Sequence, residues 1–274
     1  MNRPTTEPLG LSARRVSAMV LRYWYLLRSS WPRLLELIYW PAVQMLMWGF
    51  LQLYIASNAS FFAKAASGTF IGGLLLWDIL FRGQMGFSIS FLEEMWARNI
   101  GNLMISPLRP VEFVAALMIM SLVRLAIGMG PVSLLAIAFF GFNLYALGLA
   151  LAAFFVNLIL TSWAVGILVA GLVLRNGLGA ESLAWTVMFL LLPLTCVYYP
   201  VTVLPAWLQI ISWSLPPTYV FEGMRAVLIN HVFRGDLMLE AFGLNVAWFV
   251  LAASVFVLLF DSARRQGSLL QTGE

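Results

Sequence analysis

The sequence predicts an all-α integral membrane protein with six transmembrane helices, an N-terminal interfacial helix, and a re-entrant helical hairpin between spans five and six. Three observations predict it. Of the 274 residues, 62% are hydrophobic and 10% charged, with a mean hydropathy of +0.90, whereas a soluble domain carries about 25% charged residues. Apolar stretches long enough to cross a bilayer core of about 30 Å, which takes roughly 20 helical residues, recur along the chain. One further apolar segment, 200–230, is instead broken by Pro200, Pro205, Pro216 and Pro217. No stretch resembles a soluble domain, so 1–274 reads as one transmembrane domain.

The first element covers 10–30. On a 3.6-residue helix Val16, Met19, Val20, Tyr23, Trp24 and Leu27 share one face, and Arg14, Arg15, Arg22 and Arg28 the other. Opposed basic and aromatic-apolar faces describe a helix lying in the headgroup layer of a bilayer. A cleavable signal peptide fits less well, because no short apolar core with a small-residue cleavage site follows these arginines.

The spans follow in order. Leu37–Ile55 is the first. Ala65–Phe87 is the second and carries Asp78 and Arg82. Val111–Phe140 is the third, with Arg124 near its middle, and Gly141-Phe142-Asn143 breaks it. The fourth ends near Leu174. Leu183–Tyr199 and Ala241–Phe260 are the fifth and sixth. Between the second and third lies a loop, 88–108. Its Glu93, Glu94 and Arg98 have i,i+4 and i,i+5 spacing, as on a short helix with Met95, Trp96 and Ile100 apolar, and such pairs add about 0.2–0.5 kcal/mol. A solvated loop helix explains the same residues. Ser106-Pro107 ends it, since a residue before proline avoids the α region. In 200–230 the prolines leave room for two short helices, Ala206–Ser214 and Thr218–Leu228, because proline inside a helix removes a hydrogen bond and clashes with the preceding turn. Irregular backbone at membrane depth must be covered by protein or water, which makes this segment a re-entrant hairpin.

Charge placement sets the orientation. Eleven of the 16 Lys and Arg residues fall on the side of Arg3, Arg14, Arg33, Arg98, Arg109, Arg175 and Arg264-Arg265. Lys64, Arg225 and Arg234 fall on the other. The positive-inside rule then places both termini in the cytoplasm. The net charge of +4 is therefore an orientation signal, and nucleic acid is excluded as a partner.

Composition also limits the chemistry. The single lysine, Lys64, follows Ala63, whereas the P-loop lysine follows glycine. One cysteine, Cys196, and one histidine, His231, exclude a disulfide framework and a Cys/His zinc cluster. A membrane-embedded enzyme would need a convergent set of acids, histidines or metal ligands. No catalytic, metal or cofactor residue is expected in this chain.

Charges at membrane depth cost about +2.5 to +3.5 kcal/mol each at a helix centre and are functional candidates. Asp78 and Arg82 lie four apart, so they neutralise each other within a turn or take part in a relay. Spans one, four, five and six offer no further acids for such a relay, which disfavours a gradient-driven transporter. Arg124 has three readings: pairing with Asp78 across helices, snorkelling, or contact with an anionic substrate group. Glu222 and Arg225, three apart, read as a buried pair or as transport residues. Asn157 and Gln44 would bond between helices or line a path. His231 belongs to an external loop.

This organisation resembles the ABC-2 type permeases, the membrane subunits of ATP-binding-cassette exporters. Two stretches carry the likeness: Phe91-Leu92-Glu93-Glu94-Met95-Trp96-Ala97-Arg98-Asn99 continuing through Leu103-Met104-Ile105-Ser106-Pro107, and Tyr199-Pro200 to Gln209 followed by Pro216-Pro217-Thr218-Tyr219 and Glu222 to Arg225. The resemblance implies a multi-pass protein of the inner (plasma) membrane in which two permease copies, identical or different, meet through spans one and five. It implies that ATP is bound and split on a separate cytoplasmic ABC ATPase, which accounts for the missing P-loop. It also implies that Glu93, Glu94, Trp96, Arg98 and Asn99 form a coupling element for that ATPase. The substrate path would run between subunits beneath the hairpin and carry a drug, lipid or glycolipid outward; a polysaccharide or glycoconjugate is the alternative.

Overall fold

The computed structural model describes residues 12–58 and 68–266. Arg3, Lys64 and the first residues of the second predicted span lie outside the described residues. Among the described residues the structure is helical and holds no strand.

The described chain begins with α1 (Ala13–Arg28), flanked by Ser12 and Ser29. The helix α2 (Trp31–Asn58) carries Pro41 in its interior, and α3 (Gly68–Trp96) follows. After a turn at Ala97-Arg98 comes the short α4 (Ile100–Ile105). Next is α5 (Pro110–Phe140), with proline at its start and Gly141 in the left-handed region (φ 65°) at its end. That conformation, which glycine adopts without strain, stops α5. A 3-10 turn leads into α6 (Leu149–Asn176). A second 3-10 turn leads into α7 (Leu183–Leu194). The proline-rich segment forms α8 (Ala206–Trp213) and α9 (Pro216–Asn230), and α10 (Gly235–Gln266) closes the described chain.

Four stretches among the described residues are long and apolar enough to cross a membrane: Trp31–Ile55, Pro110–Phe140, Leu149–Asn176 and Gly235–Ala263. They correspond to predicted spans one, three, four and six. Predicted span two, now α3, has the length, at 29 residues, but Asp78, Arg82, Gln84, Glu93 and Glu94 dilute its apolar character. Its surroundings explain why it tolerates them. Ile71 to Leu80 are buried without interruption, so α3 is enclosed by neighbours on all sides. Predicted span five is shorter than Leu183–Tyr199, because α7 ends at Leu194, one residue after Pro193. The Tyr199 hydroxyl donates back to the Pro193 carbonyl at 2.7 Å, and Cys196 turns through φ 55°.

Two apolar cores stack along the bundle. One gathers Met45, Trp77, Phe154, Phe221, Met224 and Met238. The other gathers Tyr23, Leu27, Phe87, Phe91, Phe113 and Leu174. Both α3 and α6 contribute to each, and α6 packs along α10 and α3. Apolar area alone does not drive helices together in lipid, so close approach and polar contacts matter. A Cβ on Gly128 of α5 would meet the Leu37 carbonyl of α2 at 2.8 Å. Between α6 and α10, Thr161 donates to Asn245 Oδ1 at 2.7 Å, and Asn245 Nδ2 donates to both oxygens of Asn157 at 3.0 Å. Asn157 therefore bonds between helices.

Three expectations change. Of the apolar stripe of α1, Met19, Tyr23 and Leu27 are buried in the protein core, so these three meet the bundle, while Val16, Val20 and Trp24 are half-buried. Segment 88–108 is a loop only from Ala97, because α3 continues through Trp96. The helix predicted at Thr218 starts at Pro216 instead, since two prolines fit the first helical turn, where their missing N–H groups need no partner.

Candidate functional site

A cleft of about 640 Å³ opens between α2, α3, α5 and the start of α7, within the range of ligand sites. Each wall is one helical stripe of period three to four. From α2 come Arg33, Glu36, Leu37, Trp40 and Gln44. From α3 come Phe81, Arg82, Met85, Ile89, Glu93 and Trp96. Arg124 reaches in from α5, and Glu181, Trp185 and Phe189 complete the wall. The Trp96 indole N–H donates to Glu181 at 2.8 Å, joining two walls.

The guanidinium groups of the cleft are engaged within the protein. Arg124 donates to both Glu93 oxygens at 3.0 Å, and Arg33 reaches the same carboxylate at 3.3 Å. Arg82 contacts Asp78 at 3.8 Å, one turn away, and donates to the Leu37 carbonyl at 3.2 Å. That carbonyl has a sequence reason to be free: it lies four residues before Pro41, which has no N–H to donate to it.

Two more carboxylates fix α1 to the bundle. Glu94 is fully buried and takes Arg22 and the Asn99 amide, the latter at 2.7 Å. Glu112 is also fully buried and accepts from the Ser12 N–H at 2.9 Å, from Arg15 at 2.8 and 2.9 Å, and from the Arg109 N–H at 3.0 Å. Burial and then the Glu94 charge push the Tyr23 hydroxyl well above its ordinary value, so it stays protonated. At the hairpin, Glu222 accepts from the Val201 N–H at 2.8 Å and from Arg225 at 2.9 Å. Arg225 in turn donates to the Cys196 carbonyl at 2.9 Å. The pair staples the turn around Pro200 to α9.

The ABC-2 type transporter family model matches residues 18–229. The chain belongs to this family. It is thus an ABC-2 permease, a transport subunit and a multi-pass membrane protein, and such permeases normally work with an ABC ATPase partner. No individually curated protein matches the chain.

Within this ABC-2 permease the predicted residues divide into separate groups. Arg82, Arg124, Glu93 and Trp96 come together in the cleft wall, with Asp78 behind Arg82. Arg124 pairs with Glu93 and not with Asp78, because Asp78 lies 15 residues back along α3, about 22 Å at 1.5 Å per residue. Glu93 and Glu94 do not pair with Arg98. Their side chains turn to Arg124, Arg33 and Arg22, while Arg98 leaves the helix with φ 53°. Pro200, Pro205, Pro216, Pro217, Glu222 and Arg225 form a distinct group at the hairpin. Glu112 escaped the sequence reading. Its signal was an acid at the third position of a helix that starts Arg109-Pro110, where a carboxylate suits the exposed N–H groups.

Proposed function

We propose that this chain is the permease subunit of an ATP-driven exporter, carrying an amphiphilic drug, lipid or glycolipid outward, with ATP hydrolysed on a separate cytoplasmic ABC ATPase. The cleft carries the proposal: it combines tryptophan and phenylalanine walls with buried ion pairs at a size that fits a small amphiphile. In this reading the bundle crosses the inner (plasma) membrane six times, α3 and α7 completing the four apolar spans, with α8 and α9 as a re-entrant hairpin and both termini cytoplasmic. A second copy, identical or different, covers the exposed side of α2 away from the cleft, where Trp31, Tyr39, Met47 and Phe50 are more than half exposed. The contact with the ATPase narrows to the turn after α3 and to α4, where Arg98 and Asn102 are exposed and Ile105 is 86% exposed. A glycoconjugate is the second reading, since Trp40, Trp96 and Trp185 offer faces on which sugar rings stack.

The test is co-reconstitution with an ABC ATPase in liposomes, following a fluorescent phospholipid and an amphiphilic dye. ATP-dependent movement is expected, and Ile105→Asp is expected to lower substrate-stimulated ATP hydrolysis at least tenfold while the permease still folds. Movement that follows an ion gradient and ignores ATP overturns the reading.

A further inference from the structure

The electrostatics of the cleft point to a substrate charge. Each of its three arginines has a carboxylate within 4 Å: Arg124 and the half-exposed Arg33 share Glu93, and Arg82 lies 3.8 Å from Asp78 and donates to the Leu37 carbonyl. The Nε atoms of Arg82 and Arg124 have no hydrogen-bond partner among the described residues. Arg82 and Arg124 are also sheathed, with side chains only 11% and 5% exposed. Two carboxylates of the wall differ. Glu36 and Glu181 are both exposed, and Glu181 takes no guanidinium but only the neutral indole N–H of Trp96. Counting Asp78, the cleft holds four carboxylates against three guanidiniums, and its accessible negative charge lies at Glu36 and Glu181. Around them stand the accessible faces of Trp40, Trp96 and Trp185, at 56, 51 and 44% exposure. Carboxylates beside open indole faces attract a cation twice, through its charge and through the ring quadrupole. An anion would meet arginines that already have carboxylate partners, two of them sheathed, and an uncharged body would leave the charge of both carboxylates unused.

We propose that the cleft selects amphiphilic cations, with the positive charge held by Glu36 and Glu181 and the apolar body against Trp40, Trp96 and Trp185. This rests on the cleft being the exporter's substrate site, and it narrows the substrate from amphiphiles in general to lipophilic cations.

The test uses the full chain in nanodiscs of uncharged lipid, without ATPase, and reads tryptophan fluorescence. The probes are tetraphenylphosphonium, a lipophilic cation, and triphenylphosphine oxide, a neutral relative. Saturable binding of the cation at least tenfold tighter than the neutral compound is expected. The E36Q/E181Q double variant is expected to lose that preference, by roughly tenfold for a lost charge-assisted contact. Both substitutions are at exposed side chains, so an unchanged thermal transition accompanies the loss. Equal binding of the two probes, or full cation affinity in the double variant, overturns the proposal. Cation binding with no ATP-driven movement in the reconstituted complex overturns the exporter reading and leaves this one standing. ATP-driven movement of a phospholipid with no cation binding does the reverse.

Discussion

At the residue scale, Arg82 shows how a charge inside a bundle is kept by backbone as much as by a countercharge. Pro41 leaves the Leu37 carbonyl without its helical donor, and Gly128 lets α5 come within reach of the same carbonyl. Arg82 fills the vacancy and stays near Asp78. Removing one partner of a buried pair costs about 3–5 kcal/mol, so Arg82→Ala is expected to destabilise the permease by that order in detergent unfolding. Pro41→Ala restores an N–H to the Leu37 carbonyl. In that background Arg82→Ala is expected to cost about 1 kcal/mol less, one net hydrogen bond. Equal costs in both backgrounds would mean that the carbonyl contact contributes nothing. The Asp78–Arg82 spacing was legible from the sequence, because four residues make one turn. The Leu37 contact was not, because it depends on where two helices cross.

At the scale of elements, α1 joins the bundle by an apolar stripe and by two buried acids on other helices. The stripe was legible from period and composition. The docking was not, because Arg15 lies 97 residues from Glu112 and Arg22 lies 72 from Glu94, and nothing local in the sequence records those distances. For the same reason the acids after span two looked like a solvated loop, although α3 carries them onto the arginines of α1, α2 and α5. Proline positions, by contrast, state their own consequence: Pro193 precedes the end of α7 and Pro216-Pro217 open α9. If Glu112 is what holds the start of α1, Glu112→Ala is expected to speed amide hydrogen exchange across residues 13–20 at least tenfold, with α6 unchanged. Exchange that stays slow throughout α1 would assign the docking to Met19, Tyr23 and Leu27 alone.

At the scale of the whole molecule, the question is which helices cross the bilayer. Length and composition select α2, α5, α6 and α10, and a four-span and a six-span bundle both place the two ends of the described chain on one side. They differ at the connections. If α3 and α7 also cross, the turn after α3 shares the side of α1, and the turn between α5 and α6 faces the opposite side. If they do not cross, these two sides exchange, against the ion pairs of Glu94 with Arg22 and Glu93 with Arg33, which hold the end of α3 beside α1 and the start of α2. Enclosure favours the crossing of α3: it is buried from Ile71 to Leu80, and its charges find partners on neighbouring helices. A polar helix can span when the bundle, rather than lipid, surrounds its polar side chains. Single-cysteine labelling decides it, because the one native cysteine, Cys196, is buried and Cys196→Ser gives a silent background. Ala97→Cys is expected to react only from the cytoplasmic side, and Ala146→Cys only from outside. Both positions are exposed, so a failure to label would not reflect burial in this chain. The reversed pattern would leave α3 and α7 as buried but non-crossing helices and would overturn the six-span reading.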